Sequence, residues 1–279
     1  MKQLTRREFI RLALGGLATA AVGTPLYAHY IERRWLHTDS LTLPLPDLPA
    51  SFDGFRIMHF SDIHLGFHYD VSDLERLVDT ILTHEIDLLC FTGDLLEDGL
   101  ELLEASIPVL SRLQAPFGKV AVLGNHDYWQ RPDLVTDALG RAGFQVLHNA
   151  AHRIEGEDGA ISLIGLEDVM HADPDPAAAL AGTQDGDYII MLVHEPDYAD
   201  SYGDNLGVRL QLSGHSHGGQ IRLPWFGHLI TPPLGGRYVD RLNYRGRLPV
   251  YTNRGVGTTG VPFRMFCRPE LSLIQLVRG

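Results

Sequence analysis

An α/β fold, with sheets covered on their faces, is predicted for this 279-residue chain. Three observations predict it. Short, mostly apolar runs recur along the chain, helical stretches lie between them, and each of five such runs ends in a cluster of Asp, Asn or His. In open α/β sheets, ligands gather beyond the carboxyl ends of strands, so the third observation is also a functional one.

The elements follow in order. Thr5-Arg6-Arg7-Glu8-Phe9-Ile10-Arg11 precedes a small-residue apolar run from Leu12 to Leu26, the layout of an export signal and shorter than a comfortable bilayer span. The paired arginines with Phe9 two positions on resemble a twin-arginine signal; an amphipathic surface helix is the plainer alternative. Cleavage after Ala20 or Ala28 and an uncleaved anchor are all compatible with the residues. Prolines at 44, 46 and 49 give an edge strand or an extended lead-in.

Arg56-Ile57-Met58-His59-Phe60 then runs into Ser61-Asp62-Ile63-His64, and Asp87–Phe91 into Thr92-Gly93-Asp94. Lys119–Leu123 runs into Gly124-Asn125-His126-Asp127, Tyr188–Leu192 into Val193-His194-Glu195, and Val208–Leu212 into Ser213-Gly214-His215-Ser216-His217. Ser72–His84 carries Leu74, Leu77, Val78, Ile81 and Leu82 on one helical face, with Ser72 or Asp73 as N-cap. Glu97–Leu113 and Pro132–Ala142 are read as helices on the same grounds, residues 151–166 as a hairpin, and residues 250–252 and 271–277 as late strands.

Composition narrows the function. With 44% hydrophobic and 21% charged residues the chain is globular, and two cysteines supply neither a disulfide framework nor a Cys-rich zinc module. The formal charge of −12 argues against broad nucleic-acid binding, which needs clustered positive charge. Removing the first segment takes away Lys2, Arg6, Arg7 and Arg11 against only Glu8, so the remainder is more acidic still.

A lone Gly-Asp is a common turn and a lone histidine is usually structural, but five apolar runs ending by accident in ligand-type residues is improbable. The donors Asp62, His64, Asp94, Asn125, His194, His215 and His217 form an oxygen- and imidazole-rich set without thiolate. Seven donors exceed the needs of one ion. They suit two ions sharing a carboxylate, about 3.5–4 Å apart, an arrangement that clamps a phosphoryl group. Such a pocket is positive inside an acidic protein and holds an anionic substrate.

In this order, Asp-x-His, Gly-Asp, Gly-Asn-His-Asp, His and Gly-His-x-His resemble the calcineurin-like metallophosphoesterases from about Phe55 onward. The resemblance implies a four-layer α/β/β/α sandwich with a dinuclear site at one sheet edge. It places Asp62, His64 and His217 on one ion and Asn125, His194 and His215 on the other, with Asp94 bridging. It makes His126 a phosphate contact and general acid, acting after attack by metal-bound hydroxide. Glu97 stands where the family's phosphatases have an orienting Asp, while their phosphate-binding Arg is missing; this departure argues against a protein serine/threonine phosphatase. Arg254 is either its replacement or a salt bridge near a turn.

Gly218–Pro224, Arg254-Gly255-Val256-Gly257 and Arg268-Pro269-Glu270 are similar to an exported or membrane-linked bacterial branch. That branch includes phosphodiesterases and enzymes that cleave the pyrophosphate of UDP-diacylglucosamine. The apolar run Leu223–Ile230 is read as buried loop packing, or as a wall for a lipid or aryl leaving group or a membrane contact. Cys90 is expected in the core, with a Cys90–Cys267 pair open in an oxidising compartment. His59, His68, His171 and His228 are read as structural, with lining of the pocket as the alternative.

The expected organisation is a signal or anchor over residues 1–28, a lead-in over 29–53 and one catalytic domain over 54–279. The expected activity is hydrolysis of phosphodiesters or lipid-linked pyrophosphates with two divalent ions, manganese first and iron or zinc next. Alternatives are a phosphomonoesterase, a non-catalytic metal-binding scaffold and a nuclease of the same fold. The expected partners are the twin-arginine export machinery, a phosphorylated small-molecule or lipid substrate and a membrane surface. The expected location is the periplasm or cell envelope, with a membrane anchor if the signal is retained.

Overall fold

The computed structural model describes residues 5–279. The first four residues of the expected signal segment, Lys2 among them, lie outside the described residues. In chain order the strands are β1 (His37–Leu45), β2 (Arg56–Phe60), β3 (Leu88–Thr92), β4 (Lys119–Val122), β5 (Gln145–Val146), β6 (Ala150–Glu155), β7 (Ala160–Gly165) and β8 (Tyr188–Leu192). They continue as β9 (Val208–Ser213), β10 (Arg222–Leu223), β11 (Gly227–His228), β12 (Arg241–Arg245), β13 (Leu248–Thr252) and β14 (Glu270–Arg278). The α-helices are α1 (Arg6–Tyr30), α2 (Val71–Ile81), α3 (Glu101–Leu110), α4 (Asn125–Gln130), α5 (Pro132–Arg141) and α6 (Pro176–Leu180).

Two six-stranded sheets, ordered β1-β14-β2-β3-β4-β5 and β12-β13-β9-β8-β7-β6, stack face to face. Period-two alternation assigns side chains to layers. From the first sheet Ile57, Leu88, Cys90, Val120 and Val122 point between the sheets, against Ile161, Leu163, Ile190, Leu192, Leu210 and Leu212 of the second. Met58, Phe60, Leu89 and Phe91 point the other way, onto the apolar stripes of α2, α3 and α5. Ile164, Met191 and Val250 cover the far side of the second sheet beneath α6 and nearby 3-10 turns. This is the four-layer α/β/β/α sandwich. Each fully buried aliphatic side chain contributes about 1.5–3 kcal/mol, which is why such two-sided strands read as apolar runs.

β2, β3 and β4 are mutually parallel, as are β7, β8, β9 and β13, so their carboxyl ends gather at one edge. β1 pairs in parallel with β14 at the sheet margin, making the proline-rich lead-in an edge strand.

Three local expectations are corrected. α2 is capped by Asp70 rather than Ser72 or Asp73; the Asp70 side chain accepts from the Asp73 amide and Asp73 returns the bond, a capping box one turn earlier. The helix expected from Glu97 begins at Glu101, and residues 97–100 stay in a loop tied to β2's exit by the Glu97 amide donating to the Leu65 carbonyl. The amino-terminal segment is a longer helix than its apolar core implied: α1 has 25 residues, opens on a Thr5–Glu8 capping box, and is long and apolar enough to cross a membrane.

Candidate metal centre

Every ligand-type residue leaves the end of a parallel strand. Asp62 and His64 follow β2, Asp94 follows β3, Asn125 and His126 open α4 after β4, His194 follows β8, and His215 and His217 follow β9. The chain must turn sharply to keep these side chains at the sheet edge, and it does so in the left-handed region. The φ values are 54° at Asp62, 51° at His64, 58° at Asp94, 67° at His215 and 52° at His217. For a residue with a Cβ this costs about 1–2 kcal/mol each, strain of the kind that concentrates at functional sites.

Glycines before the ligands permit the approach. A Cβ on Gly124 would lie 2.3 Å from Asp94 Oδ1 and 2.7 Å from His194 Cε1; one on Gly214 would lie 2.4 Å from Asp62 Oδ2. The space beside each carboxylate exists only because these positions carry no side chain.

The donors converge in overlapping groups. Asp62, His64 and His217 offer ligand atoms within 4.8 Å of one another, as do Asp94, His194 and His215. Asp94 Oδ2 reaches both groups, 3.6 Å from His64 Nε2 and 3.2 Å from His194 Nε2. Asn125 Oδ1 lies 3.0 Å from His215 Nδ1. All seven are buried.

The imidazoles are aimed from behind. His194 Nδ1 donates to the Thr92 carbonyl at 2.6 Å, His215 Nε2 donates to the Pro233 carbonyl at 2.7 Å, and His64 Nδ1 donates to Glu97 at 2.6 Å. In each ring the opposite nitrogen therefore faces inward, where a cation would bind by displacing any proton it carries. His194 Nε2 is buried and has no hydrogen-bond partner. Burial alone would disfavour ionisation of Asp62 and Asp94, yet the facing histidines, His217 for Asp62 and His194 for Asp94, hold both well below the usual carboxylate range. Burial likewise opposes charge on His64, but Asp62, Glu97 and Asp94 push it up to about 10. Buried carboxylates and inward ring nitrogens of this kind fit divalent cations that take oxygen and imidazole nitrogen.

His126 sits beside this cluster, half-buried. Its amide donates to Asp94 Oδ1 at 2.9 Å, and its Nδ1 lies 2.7 Å from Glu97 Oε2. Glu97 thus bridges His126 and His64, and Thr259 Oγ1 donates to its other oxygen at 3.1 Å. Despite burial, the two histidine contacts bring the Glu97 pKa down to about 2, so it remains a carboxylate.

Arg254, weighed as a phosphate ligand, is instead committed to Asp240, with Nη2 2.6 Å from Oδ2. It does not line the cavity over the cluster. Cys90 and Cys267 are free and buried in different surroundings, Cys90 between the sheets and Cys267 against the His217 carbonyl, so they do not pair.

Several contributors escaped sequence reasoning. Asp127 accepts from the amides of Gly124, Asp94, Leu95 and Leu96 at 2.8–3.1 Å and staples the β3 and β4 loops together. An acidic residue three positions after the cap of α4 was the available signal. Trp129 packs its ring 4.3 Å from that of His126, donates to His171 Nε2 at 2.6 Å, and His171 Nδ1 donates to buried Asp168 at 2.9 Å. Arg264, fully buried, donates to the Arg254, Gly255 and Gly257 carbonyls and lies 3.3 Å from His217 Nδ1.

Above the cluster opens a cavity of about 470 Å³. Its floor is Asp94, Asn125, His126, His215 and His217, and its walls are Trp129, Met170, Ile221, Leu229, Ile230 and Val261 among others. No lysine or arginine lines it among the described residues. Leu223–Ile230 is not buried packing: Trp225, Phe226, Leu229 and Ile230 all stand exposed, and of these Leu229 and Ile230 line the cavity.

Residues 55–219 match the family model described as calcineurin-like phosphoesterase. The chain is 39% identical to the uncharacterized metallophosphoesterase YkuE of Bacillus subtilis, over 99% of both chains. It is 29% identical to the phosphodiesterase YaeI of Escherichia coli, over 98% of this chain and 100% of that protein. A transmembrane protein with a metallophosphoesterase domain from Danio rerio is 30% identical over 84% of this chain and 56% of its own length.

Proposed function

The chain belongs to the calcineurin-like phosphoesterase family and is a phosphoric ester hydrolase; on that premise we propose that it cleaves phosphodiester or lipid-linked pyrophosphate bonds with two divalent cations. One observation carries the reading: two donor groups share Asp94 beside a histidine held by Glu97 on a cavity floor. Asp62, His64 and His217 would hold one cation, and Asn125, His194 and His215 the other, with Asp94 between. Manganese is the first choice and iron or zinc the next, since the donor set is carboxylate, amide and imidazole.

Bound there, the cations supply Lewis acidity toward phosphoryl oxygens and activation of water. The chain's own residues do the rest. Glu97 fixes the His126 ring with Nδ1 as donor, which turns Nε2 toward the cavity, where it would donate a proton to the leaving oxygen. Trp129 covers one face of that ring and limits its rotation. The Asp94 side chain receives the His126 amide, so the proton donor and the shared carboxylate are held in one frame.

A monoester presents an additional negative charge for which the cavity wall offers no arginine, Arg254 being bound to Asp240; this favours diesters. The name of the Escherichia coli relative supports the same choice. The twin-arginine pattern supports export to the periplasm or cell envelope, and the length and apolar composition of α1 support its retention as an anchor.

The test is turnover by the purified chain of bis(p-nitrophenyl) phosphate and p-nitrophenyl phosphate, with manganese, iron or zinc added after chelation. Metal-dependent turnover with preference for the diester is expected. No metal-dependent turnover of either by the folded protein defeats the proposal, and preference for the monoester replaces it with a phosphomonoesterase.

A further inference from the structure

Resting on the phosphoesterase reading, we infer that the cavity mouth is a membrane-docking surface and that the site takes a phosphoester whose apolar part stays in a lipid bilayer.

The first observation is the β10–β11 hairpin. At its turn Trp225 and Phe226 are 99% and 82% exposed, and just beyond it Ile230 is 81% exposed. Such a run of large apolar side chains in water, on a hairpin flanked by the cavity-lining Ile221 and Leu229, is what soluble surfaces avoid and interaction sites carry.

The second observation is where α1 ends. His29 Nδ1 donates to the Pro262 carbonyl at 2.9 Å, and the Arg264 amide donates to the Ala28 carbonyl at 3.2 Å. The last turn of a helix long and apolar enough to cross a membrane is therefore fixed against residues 262–264. The same stretch of chain touches the hairpin: Ile221 bridges to Met265, and the Arg222 amide donates to the Met265 carbonyl at 2.8 Å. One strip, residues 259–266, thus joins α1 to the hairpin, lines the cavity through Thr259–Val261, and turns Phe266 outward at 59% exposure. Below α1, Trp35 is half-exposed with the Arg268 guanidinium 3.4 Å from its ring centroid, the aromatic and basic pairing that suits an interface with anionic headgroups.

A bilayer that holds α1 must meet this strip, because α1 ends on it. The occupant is accordingly a lipid surface. The polar floor then faces the headgroup level through an apolar mouth, so a lipid phosphoester enters without its acyl chains leaving the membrane.

The full-length chain is mixed with vesicles of phosphatidylethanolamine and phosphatidylglycerol bearing brominated acyl chains, which quench tryptophan at contact. Its tryptophans are Trp35, Trp129 and Trp225. Quenching of the wild type is expected, and its reduction in Trp225→Phe to the share that Trp35 contributes at the interface; quenching that Trp225→Phe leaves unchanged overturns the inference. A second arm compares substrates. Trp225→Ser combined with Phe226→Ser should keep turnover of soluble bis(p-nitrophenyl) phosphate and lose about tenfold on a phosphodiester lipid in vesicles. Equal effects on both substrates overturn the inference, as does concentration-dependent dimerisation through Trp225 without quenching. Quenching needs no turnover: an inactive but quenched protein defeats the phosphoesterase reading alone, and an active, unquenched one defeats only this inference.

Discussion

Glu97→Gln is the most informative substitution, because it keeps shape and removes one charge. Glu97 Oε2 lies 2.6 Å from His64 Nδ1 and 2.7 Å from His126 Nδ1. Both are charge-assisted bonds, each worth about 1.5–3 kcal/mol. Both rings share Oε2 while Thr259 holds the other oxygen, so a glutamine oxygen placed there still accepts from both; what is lost is the charge assistance of the two bonds. A charge-assisted bond exceeds a neutral one by about 1–1.5 kcal/mol, so the weaker hold on the His126 ring should lower kcat about 5- to 10-fold. The weakened His64 bond should lower metal affinity by up to about tenfold, the lower end of what disturbing a ligand's hydrogen-bond partner costs. Metal titrations of kcat separate the two, and leaving groups sharpen the result. An alkoxide needs a proton more than nitrophenolate does, so at saturating metal the kcat loss should be larger for an alkyl diester than for a nitrophenyl diester, with KM little changed. Full recovery of kcat on both substrates at saturating metal would refute the orienting role and leave Glu97 acting through His64 only.

Four further outcomes are expected. Asp94→Ala should lose bound metal and activity together by elemental analysis and assay, whereas His126→Ala should keep metal and lose most turnover; metal loss in the latter would reassign His126. Chelation should lower the melting temperature by about 5–10 °C, because a ligand at about 100 times its Kd stabilises by about 2.7 kcal/mol; an unchanged calorimetric transition would contradict the site. His59 is buried in β2, donor or acceptor only to Thr92, and burial holds its pKa down to about 3 from 6.5. The unfolded chain therefore binds the extra proton, and stability is lost as pH falls from 6.5 toward 3, by about 1.4 kcal/mol per pH unit; urea unfolding of chelated wild type and His59→Gln should show the shallower slope in the variant. Arg254→Ala should cost about 1–2 kcal/mol of stability, the Asp240 pair being partly exposed, and leave KM for a soluble diester within about twofold; a large rise in KM would restore Arg254 as a substrate ligand.

The sheets were legible because strands buried on both faces can carry little but apolar residues, and their ends were legible because ligand-type residues stand immediately after them. Asp94, Asn125 and His215 are each announced by a preceding glycine, and the structure gives the reason: a side chain at Gly124 or Gly214 would occupy the place of the Asp94 or Asp62 carboxylate. What stayed hidden was joined only through the fold. Thr259 meets Glu97 across 162 positions, and the Trp129–His171–Asp168 chain links α4 to the loop after β7, 42 positions apart at its first bond. Nothing in the local sequence of His171 sets it apart from His68 or His228. The apolar run at residues 223–230 shows the converse limit, since composition measures how apolar a loop is and not which side of it water occupies.

The helix expected over residues 97–113 exposes a conflict between local and global order with a functional outcome. Glu97 has a good helix-former's side chain and is followed by an apolar pattern, so local propensity would wind it into α3. Instead the Glu97 and Asp98 amides both donate to the Leu65 carbonyl, and Leu65 bridges to Leu96, fastening the segment to the exit of β2. Only in that unwound position can one carboxylate touch His64 and His126 at once. The same exchange is visible in five ligand residues held at positive φ, which together cost about 5–10 kcal/mol of backbone strain. A domain with net stability of about 5–15 kcal/mol carries that burden only if something offsets it. The mutual attraction of the buried Asp and His side chains offsets part, and burial of the apolar core beneath the loops offsets more; a cation bound at the site would add to both, so its removal is expected to appear as lost stability.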